Sequence, residues 1–169
     1  KLVYSKHITA PVNQPAKKEI VIKDNSTQSL TFNVLNNKNV NEKLTFKKYI
    51  VKGKKIETYF DREYSTDMLR SPNHFIFLSA LVNLQKMIYV LMCNHFKLKY
   101  DPNGDEKLKI WPMDVEVKMN GLIRKSKDLM QDFEIDSIEE ISATKYRISG
   151  RSSSESTVLI KGNALVYLI

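Results

Sequence analysis

The stretch Ser71-Pro72-Asn73-His74-Phe75 opens an apolar run that continues to Phe96, in a chain of 169 residues that otherwise shows strand patterns. Ser71 is suited to cap a helix, Pro72 fits the first helical position, and about 25 residues follow without glycine or proline. The stretch therefore predicts one long helix over residues 72–96. Apolar side chains cover nearly its whole circumference, which is typical of a helix buried in a protein core or in a membrane.

Polar residues in the middle of the run distinguish these two environments. Asn83, Gln85 and Lys86 lie there, and a lysine at the centre of a bilayer costs roughly 3 kcal/mol. The pattern favours a core helix, and we expect no membrane span. Ser79, Asn83 and Lys86 share one side of the helix, which predicts a buried polar seam or a dimer contact whose members need partners. His74 and Gln85 share the opposite side and could reach one groove.

Strand patterns lie on both sides of the helix. The early ones are rich in β-branched and aromatic residues, are separated by turn residues, and span 19–23, 30–35, 44–51 and 55–64. A hairpin turn is predicted at Lys52-Gly53, and a second turn at Asp101-Pro102-Asn103-Gly104. Three further strands are predicted over 113–120, 135–149 and 157–169.

The late strands differ in pattern. The first alternates cleanly, with Met113, Val115, Val117 and Met119 on one face, which predicts a half-buried strand. The second is less regular, with a bulge expected near Ile141. The third is almost continuously apolar, as a central or interface strand would be. The serine-rich residues 152–156 are predicted to form a loop between them.

Length and composition indicate one α+β domain over residues 20–169, preceded by an extended arm over residues 1–19 that contains Pro11 and Pro15. The 42% of hydrophobic residues can fill one core. A single cysteine, Cys93, cannot form an internal disulfide, and the first residues lack the pattern of a signal peptide. These features favour a reducing compartment, and we expect a cytoplasmic protein.

Positive charge is concentrated in the first part of the chain. Residues 1–64 carry 13 lysines and arginines against 6 acidic residues, so they hold +7 of the net charge of +8. The densest group, called here the basic hairpin, comprises Lys47, Lys48, Lys52, Lys54 and Lys55. It could be a solvated edge that prevents sheet aggregation, or a surface for a phosphate-bearing ligand, an acidic protein or nucleic acid. Nucleic acid is the weakest of these because arginine clusters and recognition motifs are missing.

Several classes of chemistry lack their usual motifs. No Gly-x-Ser-x-Gly elbow, P-loop or dinucleotide fingerprint occurs in the sequence. One cysteine and three scattered histidines provide no metal-ligand spacing. We therefore expect neither a metal nor a cofactor, and any reaction would depend on water and on positioning.

The order of strands, one long helix and further strands resembles the hotdog fold, in which a curved antiparallel sheet wraps around one long central helix. This resemblance implies a homodimer that binds acyl-thioesters near the start of the helix. The free N–H groups of a buried helix start can hold a thioester carbonyl as it becomes an oxyanion. A slot between helix and sheet would take the acyl chain.

Two motifs resemble the FcoT-type long-chain acyl-CoA thioesterases of that superfamily. They are Leu69-Arg70-Ser71-Pro72-Asn73-His74-Phe75, followed by Asn83 and Gln85, and Leu122-Ile123-Arg124-Lys125-Ser126. Gln85 stands at the family's asparagine position, and Met68 replaces a tyrosine. The resemblance implies an acyl-thioester hydrolase acting on fatty acyl-CoA or acyl carrier protein. His74, Asn83 and Gln85 would be catalytic, and the residues implied to bind substrate are Arg70, Ser71, Asn73, Arg124 and Lys125.

Other roles for these residues stay open. His74 could instead cap a neighbouring loop, Asn83 could be a structural hydrogen-bonding residue, and Arg70 could pair with Asp67 or Asp61. Arg124 and Lys125 could simply be solvated.

Two other functions are considered. Pro72-Asn73-His74-Phe75 also resembles the Pro-x-His-Phe motif of hotdog dehydratases, but Ile88 stands where those enzymes carry their acid. The first alternative is therefore a hotdog protein of lipid or polyketide metabolism that binds an acyl chain without hydrolysing it. The second is a basic β-rich binding module for nucleic acid or an acidic protein, in which the helix serves only as core.

Overall fold

The computed structural model describes residues 18–69 and 73–169. Within them, eight antiparallel strands form one sheet and a single helix packs on it. The elements are β1 Glu19–Lys23, β2 Thr27–Leu35, β3 Lys38–Lys52, β4 Lys55–Thr66, α1 Phe77–His95, β5 Leu108–Met119, β6 Leu129–Ser142, β7 Lys145–Ser154 and β8 Val158–Leu168. One antiparallel sheet with one helix fits the predicted hotdog-like α+β class. Nearly all of the predicted arm lies outside the described residues.

The sheet runs in the order β1-β3-β4-β6-β7-β8-β5, and β2 also pairs with β3. β1 and β2 pair with successive parts of β3, at residues 48–52 and 38–45. They therefore form one edge of the sheet. Among the described strands β5 pairs with β8 alone and forms the other edge.

The four predicted strands before the helix are confirmed, and β3 is longer than predicted. β3 and β4 form the expected hairpin, whose turn contains Gly53 with φ 62°. A positive φ of this size suits glycine. The second predicted turn is also present, because the Gly104 N–H donates to the Asp101 carbonyl.

Helix α1 packs against β3, β4, β5, β6 and β8. Its fully buried side chains belong to the hydrophobic core and include Ala80, Met87, Val90, Met92 and Cys93. By length and hydropathy alone α1 could also cross a membrane, but 50% of its most apolar window is buried inside the fold. Burial of this kind is what a core helix requires.

The helix begins at Phe77, five residues later than predicted. Ile76 precedes it with extended backbone, φ −82° and ψ 142°, and no side chain caps the start. Tertiary hydrogen bonds cause this later start. The Phe75 N–H donates to the Ile123 carbonyl at 2.8 Å, and Arg62 Nη2 donates to the His74 carbonyl at 3.0 Å, so both backbone groups are used outside a helix.

The helix ends where predicted, with Phe96 as its C-cap. Lys97 takes the left-handed conformation, φ 58°. The Leu98 N–H donates to the Cys93 carbonyl at 2.8 Å and the Lys97 N–H to the Asn94 carbonyl at 3.2 Å. This is the Schellman arrangement, here formed without glycine.

Two predictions for the late strands are wrong. Residues 135–149 are not one strand, because they cross the turn between β6 and β7. The loop predicted over 152–156 is also misplaced, since Ser152 and Ser154 belong to β7 and are buried. Ser152 Oγ donates to the Asp132 carbonyl at 2.6 Å, which satisfies a buried hydroxyl within the strand. The bulge near Ile141 is confirmed by a register shift between residues 140 and 142.

β5 has neither the regular alternation nor the burial that were predicted, because its pairing with β8 shifts register between Pro112 and Asp114. Met113 is 55% exposed, Val115 42% and Met119 40%. β5 is an edge strand whose buried start is Leu108, and little covers its second half in a single copy of the chain. By contrast, β8 lies between β7 and β5, so the predicted central strand is confirmed.

Candidate functional site

An apolar cavity of about 190 Å³, called here the slot, lies between α1 and the β5, β7 and β8 side of the sheet. Its walls are almost entirely apolar. They comprise Leu81, Val82, Leu84, Gln85 and Ile88 from α1, and Ile110, Pro112, Val115, Phe133, Ile148, Gly150, Ile160, Gly162, Asn163 and Ala164 from the sheet. Such a wall suits a hydrocarbon chain.

A larger and open cavity of about 860 Å³, called here the groove, adjoins the slot. Its lining is mostly polar and includes Asn25, Ser26, Thr27, Gln28, Lys86, Tyr89, Asn103 and Glu106. Both edges of the sheet contribute, because Thr27 and Gln28 start β2 whereas Leu108 and Ile110 start β5. The groove therefore runs over α1 between the two edges.

Gln85 lies where the two cavities meet. It lines both of them, together with Val82 and Ile110, and its side chain is exposed on α1. An amide both donates and accepts hydrogen bonds. At this boundary the Gln85 side chain can contact the carbonyl of a ligand whose apolar part lies in the slot and whose polar part lies in the groove.

Lys86 forms the inner wall of the groove. Its Nζ lies 3.1 Å from Asp24 Oδ2, donates to Ser26 Oγ and lies 4.0 Å from the centre of the Phe46 ring. Burial lowers the pKa of Lys86, and Asp24 opposes this. Burial alone would raise the pKa of Asp24, but hydrogen bonds from Ser26 and the charge of Lys86 lower it.

Tyr100 completes this cluster, donating from its hydroxyl to Asp24 Oδ2 at 2.9 Å. Burial raises the pKa of Tyr100 well above its ordinary value, and the nearby Asp24 adds to the effect. The hydroxyl therefore stays protonated and remains a donor at neutral pH.

The predicted polar seam of α1 is confirmed. Ser79 Oγ donates to Glu42 on β3, Asn83 Nδ2 donates to Gln131 Oε1 on β6 at 2.8 Å, and Lys86 pairs with Asp24. Each of the three side chains thus has a partner on the sheet side, whereas the buried Oδ1 of Asn83 has none among the described residues.

Asn83 belongs to a buried network under the helix. Gln131 Nε2 donates to the Ala80 carbonyl and to Ser152 Oγ, each at 3.0 Å. Asn83, Gln131 and Ser152 are all buried. Asn83 lines neither the slot nor the groove, and its contacts fit the structural role that the sequence left open.

A buried ion pair supports the segment before the helix. Arg62 Nε donates to Glu42 Oε1, and both side chains are fully buried. The same guanidinium donates through Nη2 to the His74 carbonyl, and its Cζ lies 5.4 Å from the centre of the Tyr64 ring. Arg62 thereby ties β3, β4 and residue 74 together.

The two sequence motifs lie side by side. The bond from Phe75 N to the Ile123 carbonyl joins them directly, and the Arg62 N–H donates to the Ser126 carbonyl at 2.9 Å. Asn73 is exposed and His74 half-buried near this junction.

The implied substrate-binding residues are only partly described. Arg124 and Lys125 are exposed, and Lys125 Nζ lies 3.2 Å from Glu155 Oε1. Arg70 and Ser71 fall outside the described residues. Asn73, His74, Arg124 and Lys125 line neither the slot nor the groove. The bond from Phe75 to Ile123 thus connects the described parts of the two motifs, and Gln85 lines cavities that none of these residues reaches.

The basic hairpin is largely neutralised by acidic neighbours. Lys47 pairs with Asp61 at 2.8 Å and also with Asp128. Lys52 pairs with Glu19 at 3.1 Å. Lys55 lies 3.3 Å from both Glu57 and Asp132. These pairs favour the solvated-edge interpretation over a surface for a polyanion.

Among residues 18–69 and 73–169, no three histidine, cysteine, aspartate or glutamate side chains lie together as a metal site would require. Cys93 is buried, and burial raises the pKa of its thiol. A thiol in this state is a poor nucleophile.

Sequence reasoning missed Gln131 and the paired glycines of the slot. Gln131 lies two residues from Leu129 and from Phe133, and it shares the buried face of β6 with them and with Ile135. Period-two spacing could therefore have placed Gln131 on the inner face. Gly150 and Gly162 meet only through the pairing of β7 with β8, which no local pattern reveals.

Comparisons with known proteins give a distant likeness. No protein-family model matches the sequence, and no curated protein does. A mutant thioesterase from Pseudomonas aeruginosa aligns over 75% of this chain and 82% of its own, with TM-score 0.45 and 9% identity. A thioesterase from Haemophilus influenzae aligns over 74% and 78%, with TM-score 0.45 and 6% identity. At this distance the likeness carries no assignment, and function is argued from the site.

Proposed function

We propose that this protein hydrolyses acyl-thioesters, with the acyl chain in the slot and the thiol-bearing part in the groove. The observation that carries the proposal is the position of Gln85 between an apolar cavity and a polar one. A thioester has the same division, because a hydrocarbon chain and a polar carrier meet at its carbonyl. The thiol would belong to coenzyme A or to acyl carrier protein.

The reaction needs one water molecule. The water oxygen attacks the carbonyl carbon, the carbon–sulfur bond breaks, and the thiolate takes a proton, which leaves a carboxylic acid and a free thiol. The Gln85 amide would donate a hydrogen bond to the carbonyl oxygen as negative charge develops. Removal of one such donor typically costs about 10²- to 10³-fold in rate.

His74 is the second proposed catalytic residue, and it would act at a different place from Gln85. Its imidazole, which lies just before α1, could accept a proton from water. It would act only on a thioester that reaches the junction of the two motifs, where Arg124 and Lys125 could contact the phosphates of the carrier. Variants of Gln85 and His74 therefore distinguish the two positions.

We also propose that the sheet curves around α1, as in the hotdog fold. The helix contacts β3 and β5, which are five places apart in the sheet order. In a flat sheet they would be about 24 Å apart. Contribution of both edges to one groove supports the same proposal.

A homodimer through β5 is proposed as well. The edge strand exposes Met113, Val115 and Met119, and Leu122 beyond it is 49% exposed. A second copy would cover both the unpaired edge and these apolar side chains. Light scattering should show a dimer at micromolar concentration, and Met119→Lys, which changes an exposed residue outside the slot, should shift it toward monomer. A wild-type monomer at that concentration would contradict the proposal.

The function is tested by release of free thiol from short-, medium- and long-chain acyl-CoAs. Gln85→Ala should lower kcat/KM by about 10²- to 10³-fold. Asn94→Ala removes an amide from the same helix outside both cavities and should leave kcat/KM nearly unchanged. His74→Ala tests the alternative position.

The outcomes separate the hypotheses. If Gln85→Ala keeps full activity and His74→Ala loses activity, the reaction takes place near His74 and not at Gln85. Silence of the folded wild-type protein toward every acyl-CoA and acyl carrier protein would refute hydrolysis.

Binding without hydrolysis is the second candidate. Of the described residues that line the groove, Glu106 alone is a carboxylate, and no histidine lines either cavity. An enzyme of this type usually needs a base near the attacking water. Tight binding of acyl-CoA without thiol release would favour this candidate.

A further inference from the structure

The slot owes its shape to two glycines on neighbouring strands. Gly150 on β7 and Gly162 on β8 are cross-strand partners, and both line the slot. At these positions the wall consists of backbone alone. The cavity therefore lies directly against the sheet.

Neither position has room for a side chain. A Cβ on Gly162 would lie 2.2 Å from the Asp114 carbonyl oxygen, and a Cβ on Gly150 would lie 2.6 Å from the Glu134 carbonyl oxygen. Asp114 follows the irregularity in β5 between Pro112 and Asp114. The β5 backbone therefore approaches Gly162 closely at one side of the slot.

Phe133 closes the other side. A Cβ on Gly150 would lie 2.5 Å from Phe133 Cε2 and 2.7 Å from Cζ, so the aromatic ring lies over the glycine. Phe133 is itself buried, at 3% exposure. The ring thus occupies space that the slot would otherwise extend into.

The volume of the slot is small for a lipid site. Pockets for drug-sized ligands measure roughly 300–1,000 Å³, whereas the slot measures about 190 Å³. At about 30 Å³ for each heavy atom, as in liquid water, it holds about six atoms. A long acyl chain would exceed this volume.

We propose that the slot selects short acyl chains, of about six carbons at most, and that Phe133 sets this limit. This inference rests on the proposed function, and it differs from the long-chain preference that the family resemblance implies. Phe133 is here a specificity-determining residue, because its ring ends the space available to the chain.

The test measures kcat/KM for acyl-CoAs from two to sixteen carbons. Wild-type activity should peak at or below about six carbons and fall about tenfold or more once added methylenes no longer fit. Phe133→Leu should move the peak to longer chains. Phe60→Leu is the matched control, because Phe60 is fully buried against Phe75 but does not line the slot.

Circular dichroism and thermal melting establish that each variant is folded. Phe60→Leu should keep the wild-type order of substrates. The proposal is overturned by a wild-type peak at long chains, or by a folded Phe133→Leu variant with an unchanged order.

A second readout keeps the inference separate from the proposed function. If neither acyl-CoA nor acyl carrier protein is cleaved, hydrolysis is refuted, and calorimetric titration with hexanoate and dodecanoate then tests the slot. Tighter binding of hexanoate, with Phe133→Leu gaining affinity for dodecanoate, supports the limit. Tighter or equal binding of dodecanoate by wild type overturns it.

Discussion

Replacing Arg62 with methionine should destabilise the protein more than any surface change of the same kind. The variant loses the buried ion pair with Glu42 and the 3.0 Å hydrogen bond to the His74 carbonyl. Methionine retains an unbranched apolar chain, so the loss is mainly one of charge and hydrogen bonding. Glu42 would keep only the bond from Ser79 among those described.

The expected cost is about 3–5 kcal/mol, the usual effect of removing one partner from a buried pair. A domain of this size has a total stability of about 5–15 kcal/mol, so the variant should unfold at much lower urea concentration. Circular dichroism during urea denaturation gives the free energy of unfolding. Arg151→Met is the control, because Arg151 is 62% exposed and pairs with Asp136 at 2.9 Å, and it should cost no more than about 1 kcal/mol.

The double variant Arg62→Met with Glu42→Gln tests the cause. It removes both charges, so no isolated carboxylate remains buried, and it should be more stable than Arg62→Met alone. A loss below about 1 kcal/mol for Arg62→Met would refute the reasoning. So would a double variant whose loss equals the sum of the two single losses.

Two further predictions concern acid stability and Asn83. Burial alone would raise the pKa of Asp61, but hydrogen bonds from Lys47, the Asp128 N–H and Lys127 lower it from 3.8 to about 2. This carboxylate therefore contributes stability above pH 3.8 that is lost as the pH falls toward 2. Asp61→Asn should cost about 1 kcal/mol at pH 7 after solvent screening, and the difference should vanish near pH 2 in denaturation curves; a constant difference would contradict it. Asn83→Leu should cost about 1–3 kcal/mol, because it leaves Gln131 Oε1 without its donor, while kcat/KM changes only a few-fold; a loss comparable to that of Gln85→Ala would instead make Asn83 catalytic.

The sequence predicted well those elements that local chemistry determines. The end of α1 at Phe96 and the early strands follow from periodicity and turn residues. The start of α1 was misplaced because Phe75 and His74 use their backbone groups in bonds to Ile123 and Arg62. Such bonds join residues far apart in the sequence, so local capping rules cannot anticipate them.

Burial was harder to predict than secondary structure. The alternation of Met113 and Val115 shows which face of β5 is apolar, but it does not show what covers that face. Ser152 and Ser154 resemble a loop in composition, yet both lie in β7. The buried hydroxyl of Ser152 is satisfied by the Asp132 carbonyl, a bond between two strands that composition does not reveal.

The candidate site was predicted in part. Helical spacing separated Gln85 from the polar seam and predicted a groove shared with His74; Gln85 lines the groove, whereas His74 does not. The slot could not be predicted, because it requires the register that pairs Gly150 with Gly162. The proposed roles of His74 and Arg124 stay predictions.

The position of the groove between β2 and β5 has a consequence for local motion. Edge strands are among the first parts of a sheet to open, and amide hydrogen exchange reports that opening. A molecule bound in the groove would contact Thr27 and Gln28 on one edge and Leu108 and Ile110 on the other. Occupancy of the groove should therefore slow amide hydrogen exchange in β2 and in β5 at the same time. The bound molecule would couple the opening of two strands that share no hydrogen bond.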